Sequence, residues 1–213
     1  MKSLILTSII SFTLSTALLA TEIKRAPTPS KDTAKTTLGL YVKAKDAQDY
    51  LQKDKDAILI DVRTPSELMF IGMSKRVDFH IPFKILDSSI YSKKTKAYNM
   101  KKNKYFLKEI LFELKKAKTN KNTPIFITCR SGSTRSAPVV NILAKEGFTN
   151  VWTITDGFQG SKQKDGKLKG QRVINGLQHS GYEWSTKLDK NKIWYKCKYK
   201  DLYSIKDKKE CTK

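Results

Sequence analysis

"PIFITCRSGSTRSAPVV", Pro124 to Val140, is the stretch that decides how this chain reads. A short apolar run ends in Cys129. A glycine- and hydroxyl-rich turn follows, then Arg135, then helical spacing from Ser136. An apolar run of this length bounded by turn residues fits a buried strand. Pro138 suits the first turn of a helix, where an amide hydrogen has no partner to lose. Cys129 therefore stands at the carboxyl end of a strand and faces a helix start, the edge at which open α/β sheets bind ligands. Ser131, Gly132, Ser133 and Thr134 are small enough to let successive backbone N–H groups turn inward as an anion nest, backed by the positive end of the helix dipole. Arg130 and Arg135 add full charges. Such surroundings favour thiolate over thiol and mark Cys129 as a reactive cysteine rather than core filling.

Outward from this stretch the pattern alternates. "LGLYV", "AILIDV" (residues 57–62) and "NVWTI" are further short apolar runs of the buried-strand kind. Between them "KAKDAQDYLQK", "SELMFIG" up to Gly72, "KYFLKEILFELKKAK" and "SAPVVNILAKEG" up to Gly147 carry helical spacing. In the third, Phe106, Leu107, Ile110, Leu111 and Leu114 share a face. Strands alternating with helices predict an α/β fold with a mainly parallel sheet. Residues 73–101 read as irregular, and from Asp156 the pattern thins.

The 213 residues allow one good-sized core. Residues 1–20 read as a secretory signal, with Lys2, an apolar stretch and small residues before Ala20, so export, most simply to a bacterial periplasm, is expected. Residues 21–37 read as a polar linker, 38–195 as the folded domain and 196–213 as a basic tail. The net charge of +22 is nearly all lysine, with only six arginines, and no nucleic-acid-binding module is visible. Spread lysines read as solvated surface, with weak attraction to an anionic envelope as the partner they allow. Of three cysteines in an exported chain, Cys197 and Cys211 are the disulfide candidates, leaving Cys129 free. His80 and His179 have no partner at metal-ligand spacing, so neither a metal nor a cofactor is expected.

"CRSGSTRS" after "PIFIT", with "ILIDVRTPSE" upstream and "LAKEGFTNVWTITDGFQG" downstream, resembles the rhodanese family of sulfurtransferases over residues 38–195. "ELMFIGMSKRVDFHIPF" and "VINGLQHSGYEWSTKLD" further resemble an exported single-domain subgroup. The resemblance implies a sheet of about five strands with helices on both faces. It implies that Cys129 takes sulfane sulfur from a small anion such as thiosulfate, holds it as a persulfide, and passes it to a thiol or thiol-bearing protein. The loop from Arg130 to Arg135 would cradle that sulfur. Asp61, Arg63 and Glu67 would support the loop, Glu67 or Asp61 by pairing with a loop arginine, and Tyr182 and Trp184 would border the mouth.

The loop departs from the family at one point. Rhodaneses commonly place one residue between the loop glycine and the second arginine; here Ser133 and Thr134 both stand there. Cys-x5-Arg is the spacing of the related dual-specificity and tyrosine phosphatases, so a phosphatase or arsenate reductase on the same scaffold is an alternative. A non-catalytic binding or sulfur-sensing module is another. Thr128 rather than histidine precedes the cysteine, and no acid loop is evident, which favours the transferase.

Overall fold

The computed structural model describes residues 22–208 and 211. The stretch read as a signal lies outside the described residues. The chain runs β1 (Tyr41–Val42), α1 (Ala44–Lys53), β2 (Ile58–Asp61), α2 (Pro65–Ile71), β3 (Met73–Ser74) and β4 (Phe79–His80). It continues through β5 (Lys84–Ser92), β6 (Ala97–Lys102), α3 (Phe106–Lys116), β7 (Ile125–Thr128), α4 (Ser136–Lys145) and β8 (Val151–Ile154). It closes with β9 (Trp184–Ser185) and α5 (Ile205–Lys208). Five strands form one sheet in the order β1–β8–β7–β2–β4, every pairing parallel.

Successive side chains of a strand point to opposite faces, so a run buried along its whole length must feed two cores. Ile58, Ile60, Val62, Ile125, Ile127 and Cys129 pack on one side with Phe106, Ile110 and Leu114 of α3 and Val139, Val140 and Leu143 of α4. Leu59, Phe126, Trp152 and Ile154 pack on the other with Ala44, Ala47 and Leu51 of α1 and Leu68 of α2. The sheet is thus covered by helices on both faces, as expected.

Three stretches differ from their sequence reading. Residues 73–101 are not irregular: β5 and β6 form an antiparallel ribbon, with Leu86 opposite Met100 and Tyr91 opposite Tyr98. The register slips between Asp87 and Tyr91, which breaks the period-two pattern a strand would show. The turn also puts Lys96, at φ 50°, where glycine or asparagine would have signalled a hairpin. Residues 22–37 are not a free linker. Ala26 N–H bonds the Tyr41 carbonyl at 2.8 Å, Thr37 N–H bonds Asn141 Oδ1 at 2.8 Å, and Ala34 is buried.

The lysine-rich tail is not solvated throughout. Tyr199 is 1% exposed, and its hydroxyl donates to Glu113 at 2.8 Å while Tyr203 donates to Glu109 at 2.5 Å. Both glutamates lie on the buried face of α3, whereas Leu107, expected there, is exposed. Burial of these carboxylates is tolerated because each receives a phenol hydroxyl. The Cys197–Cys211 disulfide closes this segment on itself.

Candidate functional site

β2 and β7 are neighbours with Asp61 level with Thr128, so the loops that leave their carboxyl ends run side by side. The β2 loop enters α2 through a capping box: Thr64 Oγ1 accepts the Glu67 N–H at 3.2 Å, and Glu67 Oε2 accepts the Thr64 N–H at 2.9 Å. That reciprocal pair fixes the Glu67 carboxylate at the start of α2, where Arg135 meets it with both terminal nitrogens, Nη2 to Oε1 at 2.8 Å and Nη1 to Oε2. Burial alone would push the Glu67 carboxyl up. The Arg135 guanidinium, the Thr64 N–H and the Arg63 charge outweigh it and hold the group at about 2. Glu67 in turn raises Arg135, so the pair stays ionised.

Cys129, 1% exposed, stands at the end of β7 beside this pair. Burial pushes its thiol up. The Arg135 charge, the Ser136 hydroxyl and the N–H groups of Ser131 and Ser136 pull the other way and win, so the group lies below the ordinary thiol range. The buried Ser136 Oγ has no hydrogen-bond partner among the described residues, so its hydroxyl can turn to the sulfur when the sulfur carries charge.

The loop is held by the turn after β8. Phe158 N–H donates to the Cys129 carbonyl at 2.7 Å and Gln159 N–H to the Arg130 carbonyl at 3.0 Å. Two glycines make this approach possible. Gly132 has φ 70°, and a Cβ there would lie 2.3 Å from the Thr155 carbonyl; Gly157 has φ 63°, and a Cβ there would lie 2.5 Å from the Cys129 oxygen. The loop runs directly into α4, the Ser133 carbonyl accepting the Ala137 N–H at 3.1 Å. Arg130 and Thr134 are exposed, and Arg130 Nε bonds Gln159 Oε1 at 2.9 Å. The guanidinium that lowers the thiol pKa is that of Arg135.

Asp61 and Arg63 do not reach the loop arginines. They pair with each other in full burial, Arg63 Nη2 lying 2.7 Å from Asp61 Oδ2 and 2.7 Å from the Gly72 carbonyl oxygen. The Arg63 guanidinium sits 3.8 Å from the ring centroid of Phe158, the residue whose amide clamps Cys129. Support for the loop from this pair therefore runs through Phe158. Below it, His80 Nδ1 accepts the Trp194 N–H at 3.2 Å, which assigns the proton to Nε2, 2.7 Å from the Arg63 carbonyl. Burial pushes His80 down to about 4, so the ring is neutral. Trp184 packs edge-on against Phe158, but Tyr182 lies in the α1-side core. Among the described residues, no group of three or more His, Cys, Asp or Glu side chains is placed to hold a metal.

Sequence reading missed Ser136, Phe158 and Gln159 as site residues. The signal for the last two was "DGFQG", whose glycines bracket the residues that clamp the cysteine loop.

A family model of the rhodanese-like domain matches residues 43–164. An uncharacterised protein of Rickettsia prowazekii (strain Madrid E), RP600, is 32% identical over 120 residues, 56% of this chain and 84% of its own. The crystal structure of Rv0390 from M. tuberculosis resembles the fold with a TM-score of 0.50 at 23% identity, covering 68% of this chain and 96% of that one. A rhodanese-like domain protein from Staphylococcus aureus gives a TM-score of 0.40 at 19% identity, covering 68% and 96%.

Proposed function

The chain belongs to the rhodanese-like domain family, and from that premise we propose that it is a sulfurtransferase carrying sulfane sulfur as a persulfide on Cys129. The observation that carries the reading is a buried thiol below its ordinary pKa, inside a loop whose arginine is locked by Glu67. The Cys129 thiolate attacks the outer sulfur of a donor such as thiosulfate. A new S–S bond forms at Sγ, the sulfur–sulfonate bond breaks, and sulfite leaves with the electron pair. No general base is required, because the surroundings already favour the thiolate. The Ser131 and Ser136 N–H groups and the Arg135 charge then hold the persulfide anion until a thiol collects it.

The Cys-x5-Arg spacing keeps phosphate-ester or arsenate chemistry as the second reading, and the site argues against it on one physical ground. Such a reaction needs an acid to protonate the leaving oxygen. Glu67, held at about 2, is ionised, and Asp61 is committed to Arg63. Export belongs to the proposal too, supported by the Cys197–Cys211 disulfide, a bond that persists in oxidising compartments.

Mass spectrometry of the purified protein after incubation with thiosulfate tests the reading. We expect a gain of one sulfur atom on Cys129, absent in Cys129→Ala. No adduct with thiosulfate or polysulfide would favour the binding module, and hydrolysis of an aryl phosphate in its place would favour the phosphatase.

A further inference from the structure

Beside the cysteine loop lies a basin of about 600 Å³, walled by residues 27–31 and Ala34 on one side and by Ser161, Lys162 and Arg172 on the other. Its inner wall is Ser131, Gly132 and Ser133, the loop whose Ser131 N–H reaches Cys129. Four cations line it, Lys31, Lys43, Lys162 and Arg172, and no acidic residue does. Among the described residues none of the four is in an ion pair, whereas Lys24, Lys35, Lys45, Lys75, Lys101 and Lys104 all find acids.

Arg172 is built in rather than loose. Its Nη1 donates to the Gly160 carbonyl, its backbone bridges to Lys162, and its carbonyl lies 3.2 Å from His179 Nε2. Its buried Nε has no partner among the described residues. Burial and the nearby Arg130 charge both disfavour its protonated form and outweigh the Cys129 thiolate, which favours it, so positive charge is concentrated here and only partly offset. The opposite wall is fixed by the Ala26–Tyr41 and Thr37–Asn141 bonds that dock residues 22–37.

A basin of this volume is several times larger than thiosulfate or cyanide and suits a molecule of tripeptide size. We propose that the basin is the acceptor subsite, taking a small thiol that carries two or more carboxylates. The proposal rests on the sulfurtransferase reading. The acceptor thiol gives its proton to solvent, and its thiolate attacks the outer sulfur of the Cys129 persulfide. A new S–S bond forms on the acceptor, and the Sγ–S bond breaks with its electron pair returning to Cys129 Sγ. The acceptor leaves as a persulfide, and no oxidant or reductant is needed. The carboxylates are held by Lys31, Lys43, Lys162 and Arg172 while the sulfur is at the loop.

Two measurements separate this subsite from the reading it rests on. In the first, protein loaded from thiosulfate and freed of donor is discharged by glutathione, with two carboxylates, or by neutral dithiothreitol. For Lys43→Gln/Lys162→Gln, both at exposed positions, the ratio of the glutathione to the dithiothreitol rate constant falls about ten-fold, and added salt lowers it in the wild type. An unchanged ratio overturns the subsite. In the second, S-methylglutathione, which has no thiol to react, is titrated calorimetrically into Cys129→Ala protein. Saturable binding that weakens about ten-fold in Lys43→Gln/Lys162→Gln and in Arg172→Gln supports the subsite even if no persulfide forms, a result that sinks only the transferase. Persulfide formation without such binding sinks only the subsite.

Discussion

Replacing Glu67 by glutamine isolates the electrostatic contact that organises the loop. The Glu67 carboxylate is 17% exposed and its partner Arg135 6%, so the pair is poorly screened by solvent. Moving the carboxyl from its ordinary 4.5 to about 2 corresponds to about 3 kcal/mol of folded-state preference for the charged form at pH 7. Glutamine keeps one acceptor for the Thr64 N–H but turns an N–H₂ toward a guanidinium that also only donates, so Arg135 loses half of its fork. The folded pKa lies below the unfolded one, so the contribution is full above about pH 4.5 and is lost as pH falls through about 2. Urea unfolding should show Glu67→Gln less stable than wild type by about 3 kcal/mol at pH 7, narrowing to about 1.5 kcal/mol at pH 3. A deficit under about 1 kcal/mol at pH 7, or one that does not change with pH, refutes the reasoning.

The thiolate absorbance of Cys129, the free cysteine among the described residues, should titrate below the ordinary thiol range. Ser136→Ala should move that titration upward, because the hydroxyl favours the charged sulfur; an unmoved curve would remove Ser136 from the site. Gly132→Ala forces a Cβ to 2.3 Å from the Thr155 carbonyl at φ 70°, and should cost about 2 kcal/mol or more in urea unfolding while abolishing persulfide formation. Wild-type persulfide yield in that variant would show the loop to be softer than its packing implies. Reducing the Cys197–Cys211 bridge releases a loop of about 15 residues and should lower Tm by about 6–12 °C, since about 3 kcal/mol of loop-closure entropy returns. A melt insensitive to reductant would show that the contacts of Tyr199 and Tyr203 hold the segment without it.

What nearest neighbours along the chain can dictate was legible in the amino-acid order. Apolar runs of strand length alternating with helical spacing specify an α/β sheet buried on both faces. A cysteine followed by small residues and a glycine specifies an anion-binding turn. The tertiary structure decided which distant partners meet. Glu67 rather than Asp61 takes the loop arginine, because Asp61 is held by Arg63 two residues away. The docking of Tyr199 and Tyr203 on buried glutamates and the hairpin at residues 84–102 were hidden in lysine-rich text, and the packing of residues 27–34 along a cationic basin in a proline-containing polar stretch. Lysine reports solvent at its ammonium but says nothing of the backbone and stem beneath it. Contacts between segments far apart in the chain are fixed only once the strand order has brought them together.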